Sequence, residues 1–335
     1  VTQVFPGFLD AHVHLALIDP AGLADGGIGR VLDLGGWTPG AAKPAGHGSP
    51  ADEPAAGPDV RFAGQFLGAP GGYPSRQAWA PAGSSCPVAS PGEAAAAVHR
   101  QAKAGAAVIK VTLNAAAGPV LDRETLAAIV AAAHERMLPV AAHTEGPGQA
   151  AAALDAGVDL LAHTPFSERL SDELIDAMAR RMTWISTLDI HGWGEPTAAF
   201  SVASDNLARF HAAGGRVLYG TDLGNGPLPV GLNRREIAAL LACGLSPDDV
   251  LTALTADFPG FPAESGEFGA LARSTRPDTS ARVDTHPAGP ARVTVVVGDR
   301  PTDPHDLAGF IDWLLGARSP SARSLPHPDV EDLRS

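Results

Sequence analysis

The stretch PGFLDAHVHL, residues 6–15, sets two histidines two positions apart at the end of an apolar run. Alternate residues of a β-strand share a face, so His12 and His14 leave it on the same side and can offer two imidazoles to one divalent ion. Four further stretches repeat this design of an apolar run carrying a metal-binding side chain. Lys110 stands in GAAVIKVTL, His143 in LPVAAHTEG, His163 in VDLLAHTP and Asp222 in RVLYGTDLG. Each is read at the C-terminal end of a strand, the end at which a parallel α/β barrel gathers its chemistry.

Outward from these anchors, strand-like and helix-like segments alternate, which calls for a parallel sheet with crossover helices. Strands are predicted near 7–13, 30–35, 60–66, 107–113, 138–143, 158–163, 183–188 and 216–221. Eight strands are what a closed (β/α)8 barrel needs. Strong helix formers predict helices over 92–104, 123–137 and 204–213, with Asp122 and Ser204-Asp205 as N-caps. Residues 36–59 and 68–92 are dense in Gly, Pro and Ser and follow predicted strands, so both are read as loops covering the substrate at the mouth. From about 264 an irregular linker leads to one strand, ARVTVVVGD, and a short helix, LAGFIDWLLGA. The expected division is a barrel over 1–263, an appendage over 264–317 and a disordered tail over 318–335.

At 335 residues the chain suits one large barrel plus an appendage, and 45% hydrophobic residues are ample for its core. A net charge of −13 speaks against nucleic acid or an anionic membrane as partner. Cys86 and Cys243 are the only cysteines, which excludes a disulfide framework and a cysteine-based metal site and suits a reducing compartment. No apolar run approaches ~20 residues, the length of a membrane span. VTQVFPGFLDAH lacks the basic then apolar order of a secretory signal. A cytoplasmic protein acting on a small molecule is the simplest expectation, with a homo-oligomer left open.

Each candidate has a plain reading beside the chemical one. An ammonium inside AAVIKV is costly unless Lys110 meets a carboxylate, snorkels to a strand end or loses its proton, and burial favours the neutral amine. His143 and His163 could be core histidines, and Asp222 could cap the following helix. His191 in STLDIHGWG, Tyr73 in GAPGGYP and Asn225 in GTDLGNG fall at the mouth and are candidate substrate contacts. His47, His99, His134, His211, His286, His305 and His327 fall in loops, helix faces or tail and are read as structural or solvated.

The order His-x-His, Lys, His, His, Asp on strands one, four, five, six and eight resembles the amidohydrolase superfamily. GRVLDLGG, FLGAPGGYP, AGAAVIKV and HTEG…GVDLLAHT are most similar to its prolidase and imidazolonepropionase-like branch, and the resemblance covers about residues 5–256. It implies a (β/α)8 barrel with a small β-sandwich. That sandwich would be a C-terminal remnant here, or else begin upstream of Val1. It also implies two divalent ions, Zn2+ first, with Mn2+, Co2+ or Fe2+ as alternatives. His12, His14 and Asp222 would hold one ion, and His143 and His163 the other. Lys110, carboxylated by CO2, would stand between them. A metal-bridged hydroxide would then attack an amide bond of a dipeptide, N-acyl amino acid or cyclic amide, while Asp222 carries the proton. Three alternatives stay open: a deaminase or mononuclear ring-opening hydrolase, a lactonase or phosphoesterase, and a scaffold without catalysis. Deaminases of this kind carry His-x-x-Glu, whereas Glu145 here is two residues from His143.

Overall fold

Short runs of Val, Ile, Leu and Ala bounded by glycine and polar turns become strands buried on both faces, as crossover helices require. The structure is a computed structural model and describes residues 2–39, 57–257 and 292–320. Its strands are β1 (Thr2–Pro6), β2 (Phe8–Val13), β3 (Ile28–Asp33), β4 (Asp59–Phe62), β5 (Phe66–Gly68), β6 (Ser85–Pro87), β7 (Ile109–Asn114), β8 (Val140–Glu145), β9 (Leu160–Leu161), β10 (Thr183–Ile185), β11 (Arg216–Leu218) and β12 (Val293–Val297). The helices are α1 (Pro91–Ala104), α2 (Arg123–His134), α3 (Gln149–Asp155), α4 (Asp172–Ala179), α5 (Ala198–Ala212), α6 (Arg234–Ala242), α7 (Pro247–Thr255) and α8 (Leu307–Leu315). None of them is long and apolar enough to cross a membrane.

Parallel pairing runs β2-β3-β4 and, separately, β5-β7-β8-β9-β10-β11, with β6 outside β5. Two seams turn these sheets into one barrel. Ala107 N donates to Phe62 O at 2.9 Å on one side, and Ala11 N donates to Tyr219 O at 2.9 Å on the other. A bridge between Val13 and Leu223 completes the closure. Inside, Leu9, Leu32, Val108, Leu160, Ile185 and Leu218 are buried together and form the floor beneath the mouth. Outside, side chains pack between strands and helices, as where Trp184 stacks on Phe210 of α5 at 3.9 Å.

Several sequence expectations need correction. The third strand is broken at residues 63–65, so that β4 serves β3 and β5 serves β7. Gly64 has φ +84° at the break, a conformation that side chains disfavour. The expected loop 68–92 contains β6, and α5 starts at the N-cap Thr197, whose side chain accepts from Phe200 N, rather than at Ser204-Asp205. Asp122 does cap α2, accepting from Thr125 N.

The segment before the first barrel strand is itself a strand. β1 pairs antiparallel with β12, Thr2 opposite Val297, so both ends of the described chain share one ribbon. Trp313 of α8 packs its edge on Phe5 at 6.0 Å. Arg318 and Ser319, expected in the disordered tail, are docked. Arg318 exchanges backbone bonds with Val295, and buried Ser319 donates its hydroxyl to Val293 O at 2.8 Å. Most of the expected loop 36–59, the linker from 264 and the tail beyond 320 lie outside the described residues.

Candidate metal centre

Six side chains carried by five strands or the turns after them line one cavity of about 220 Å3: His12, His14, Lys110, His143, His163 and Asp222. His12 lies in β2 and His14 just beyond it, His143 lies in β8, His163 follows β9 by two residues, and Asp222 follows β11. Lys110 departs from the expected strand end. It is the second residue of β7 and pairs with Ala141, whereas Thr112 stands opposite His143. It therefore starts one inward-facing position deeper than the histidine, and its long stem spans that step.

Hydrogen bonds aim the imidazoles. His12 Nδ1 lies 2.8 Å from Ala162 O, and His14 Nδ1 lies 2.8 Å from Gly35 O. A carbonyl can only accept, so each Nδ1 carries the proton and each Nε2 of the neutral ring presents a lone pair. The two Nε2 atoms are 3.3 Å apart, and each is 3.1 Å from Asp222 Oδ1. That buried oxygen has no aligned hydrogen-bond donor. Three electron-rich atoms facing one another in a buried site form a donor set for a cation, and the imidazole–carboxylate chemistry suits zinc. His163 joins the set: ligand atoms of His12, His163 and Asp222 all lie within 4.8 Å of one another. Thr187 Oγ1, 2.9 Å from His163 Nδ1, orients that ring in turn.

The electrostatics agree with this geometry. Burial works against the Asp222 carboxylate, yet His12, His14 and His163 hold it well below the usual range. Burial first, then Lys110 beside His12 and His12 beside His163, hold both rings well below their ordinary value against the opposing pull of Asp222. Burial also lowers His14, but Asp222 outweighs it and the net direction is upward. Burial brings Lys110 down to about 7 against the pull of Asp222 and Asp33. At neutral pH a large share of that amine is unprotonated.

The three candidate substrate contacts line the same cavity. The Tyr73 ring stacks on His143 at 4.9 Å. Asn225 Nδ2 donates to Asp222 Oδ2 at 2.9 Å, fixing the carboxylate. His191 ends a 3-10 turn, packs on Phe166 at 4.2 Å, and keeps a buried Nε2 without a partner. Burial pushes it down to about 4. His99, His134 and His305 are exposed, His211 pairs with Asp249, and His47, His286 and His327 lie outside the described residues.

Sequence reading passed over Thr187, Trp193 and Trp79. Thr187 and Trp193, like the candidate Asp222, hold positive φ, at 43°, 49° and 59°, which side-chain-bearing residues disfavour. Trp79 packs near His14 and Tyr73. Glu145 lies 3.3 Å from His143 Nε2 and accepts from Asn114 Nδ2 at 2.6 Å. The string HTEG displays Glu145, but only the β7–β8 register brings Asn114 opposite it.

Three solved structures share the architecture. An ochratoxinase of A. niger superposes with TM-score 0.59 at 22% identity, covering 76% of this chain and 70% of that one. A Xaa-Pro dipeptidase with bound methionine gives 0.64 at 19%, covering 95% and 84%. Molinate hydrolase gives 0.61 at 17%, covering 92% and 80%. At such identities the likeness speaks to the fold. No curated protein matches the sequence. The model of the amidohydrolase family matches residues 3–259, which takes in the whole barrel and all six of these side chains, and the chain belongs to that family of hydrolases.

Proposed function

We propose that this enzyme hydrolyses an amide C–N bond of a small molecule with the help of divalent metal. The observation that carries this reading is the convergence of His12 Nε2, His14 Nε2 and the unpaired Asp222 Oδ1 at 3.1–3.3 Å in a cavity at the barrel mouth. His12, His14 and Asp222 would hold one ion, and His143 and His163 a second. Zinc suits the four imidazoles, with manganese, cobalt or iron as alternatives. When bound, such ions supply Lewis acidity toward a carbonyl and lower the pKa of water.

The chain's own groups do the rest. Lys110, partly neutral near pH 7, can add its nitrogen to the carbon of CO2 and lose a proton. The resulting carbamate would be an anionic ligand available to both positions, and it would remove the cost of burying an ammonium. Asp222 Oδ2, fixed by Asn225, takes the proton from the attacking water and hands it to the leaving nitrogen. Tyr73 and His191 line the cavity and would face the substrate.

A second reading, a one-ion ring-opening enzyme or deaminase, draws on the tight grouping of His12, His163 and Asp222 while His143 Nε2 faces Glu145. One experiment separates the two. Metal content is measured beside a screen of dipeptides, N-acyl amino acids, cyclic amides and lactones, with ammonia release followed in parallel. Two ions per chain and amide cleavage are expected. One ion with ammonia release would install the second reading, and turnover of none of these substrates would remove both.

A further inference from the structure

We propose that Glu145 and the aromatic mouth form a subsite for a positively charged nitrogen carried by the substrate. This deepens the amide-hydrolase reading and rests on it for the identity of the cavity. Glu145 lines the cavity with its side chain 32% exposed. Asn114 Nδ2 holds Oε2, while Oε1 takes no hydrogen bond among the described residues. A carboxylate so tethered is fixed in place and still has an oxygen to offer.

The surroundings are aromatic. Tyr73 stacks on His143, the imidazole that Glu145 touches. Trp79 and Trp193 line the same cavity and remain 40% and 43% exposed, although large apolar side chains are normally withdrawn from water. Tryptophan faces attract cations, more strongly where water is excluded. Among the described residues of the cavity wall the one lysine or arginine is Lys110, at the bottom. The rim therefore offers a negative charge and π-faces, the complement of an ammonium group. Among the described residues it offers no guanidinium to a substrate carboxylate.

The test uses zinc-loaded protein and two probes of similar size, benzyltrimethylammonium and the neutral alcohol 2-methyl-1-phenylpropan-2-ol. The quaternary cation has no lone pair and so cannot ligate metal. Calorimetric titration, with quenching of Trp79 and Trp193 as a second readout, is run on the parent, E145Q and E145D. The cation is expected to bind about tenfold or more tightly than the alcohol. In E145Q that preference should largely vanish while alcohol binding changes less than about twofold, and E145D should keep part of it. Equal binding of both probes by the parent overturns the proposal, as does an unchanged preference in E145Q. Loss of zinc from E145Q overturns it too, by making Glu145 a metal ligand. If the cation is preferred but no amide is cleaved, the subsite stands and the hydrolase reading falls. If neutral amides are cleaved without any such preference, the reverse holds.

Discussion

Thr221 donates its hydroxyl to Asp10 Oδ2 at 2.6 Å and its amide to Asp10 Oδ1 at 3.0 Å, across the seam where the last barrel strand meets the first. Asp10 is fully buried and also accepts from His12 N at 3.1 Å. One carboxyl thus sets the spacing of two groups of the candidate metal centre that lie far apart in sequence, His12 and Asp222. Thr221→Val keeps the shape and removes the shorter bond. Zinc affinity, measured by competition with a chelator, should fall about 10–100-fold, as is usual when a ligand loses its support. Unchanged affinity would show that barrel packing alone fixes the ligands.

Asp222→Asn tests the proton carrier. The amide keeps one oxygen where Oδ1 stands but cannot act as a base. Turnover of whichever amide the screen identifies should drop about 10²–10⁴-fold. Metal bound through His143 and His163 should persist in the same sample, and a loss of only a few-fold in turnover would reduce Asp222 to a weak ligand.

Lys110→Met separates ligand from structure. Above its folded pKa of about 7 the buried amine is neutral, so at pH 8 an apolar chain of like length should cost the metal-free protein less than about 1.5 kcal/mol. Metal content should fall from two ions per chain to one or none. Full occupancy in this variant would exclude Lys110 as a ligand. Metal analysis and denaturant unfolding of the same preparation supply both readings.

Glu236 gives a pH signature outside the six candidate ligands. It is fully buried in α6 and accepts the amides of Leu188 and Asp189 at 3.0 and 2.7 Å, holding the turn that carries His191. Burial raises it from 4.5 to about 7, although bonds from Ser186, Leu188 and Asp189 oppose the shift. Between those values the folded protein keeps a proton that the unfolded chain has released. Glu236 thus contributes stability that is lost as pH rises from 4.5 toward about 7. Urea unfolding across that window should show a shallower decline for Glu236→Gln than for the parent. Parallel slopes would place the titration elsewhere, on Asp10 or Asp33, which burial also raises to about 7.

The sequence was most legible where a local pattern coincides with the chemistry. An apolar run closed by His or Asp marks a strand and a candidate ligand at once, and His12, His14, His143, His163 and Asp222 all lie at or just past a strand and line one cavity. Lys110 was legible as a site residue but not in depth, because its level depends on the pairing of β7 with β8. The break at Gly64 was invisible because β4 and β5 answer to different neighbours. β1 was missed for a related reason. TQVFP has no partner nearby in sequence, and Glu145 likewise acquires its tether only from Asn114 on the adjacent strand.

The ribbon of β1 and β12 bears on how the chain reaches this state. Phe8 N bonds to Thr294 Oγ1 across 286 residues, and every rung between β1 and β12 spans a similar distance. On a ribosome, Thr2–Pro6 emerges long before the strand that matches it. The barrel can shut through Val13 and Leu223 well before Val293–Val297 has been made. Until then the edge of Thr2–Pro6 that β12 will cover is an open template beside a forming domain, able to pair with any strand that arrives before its own.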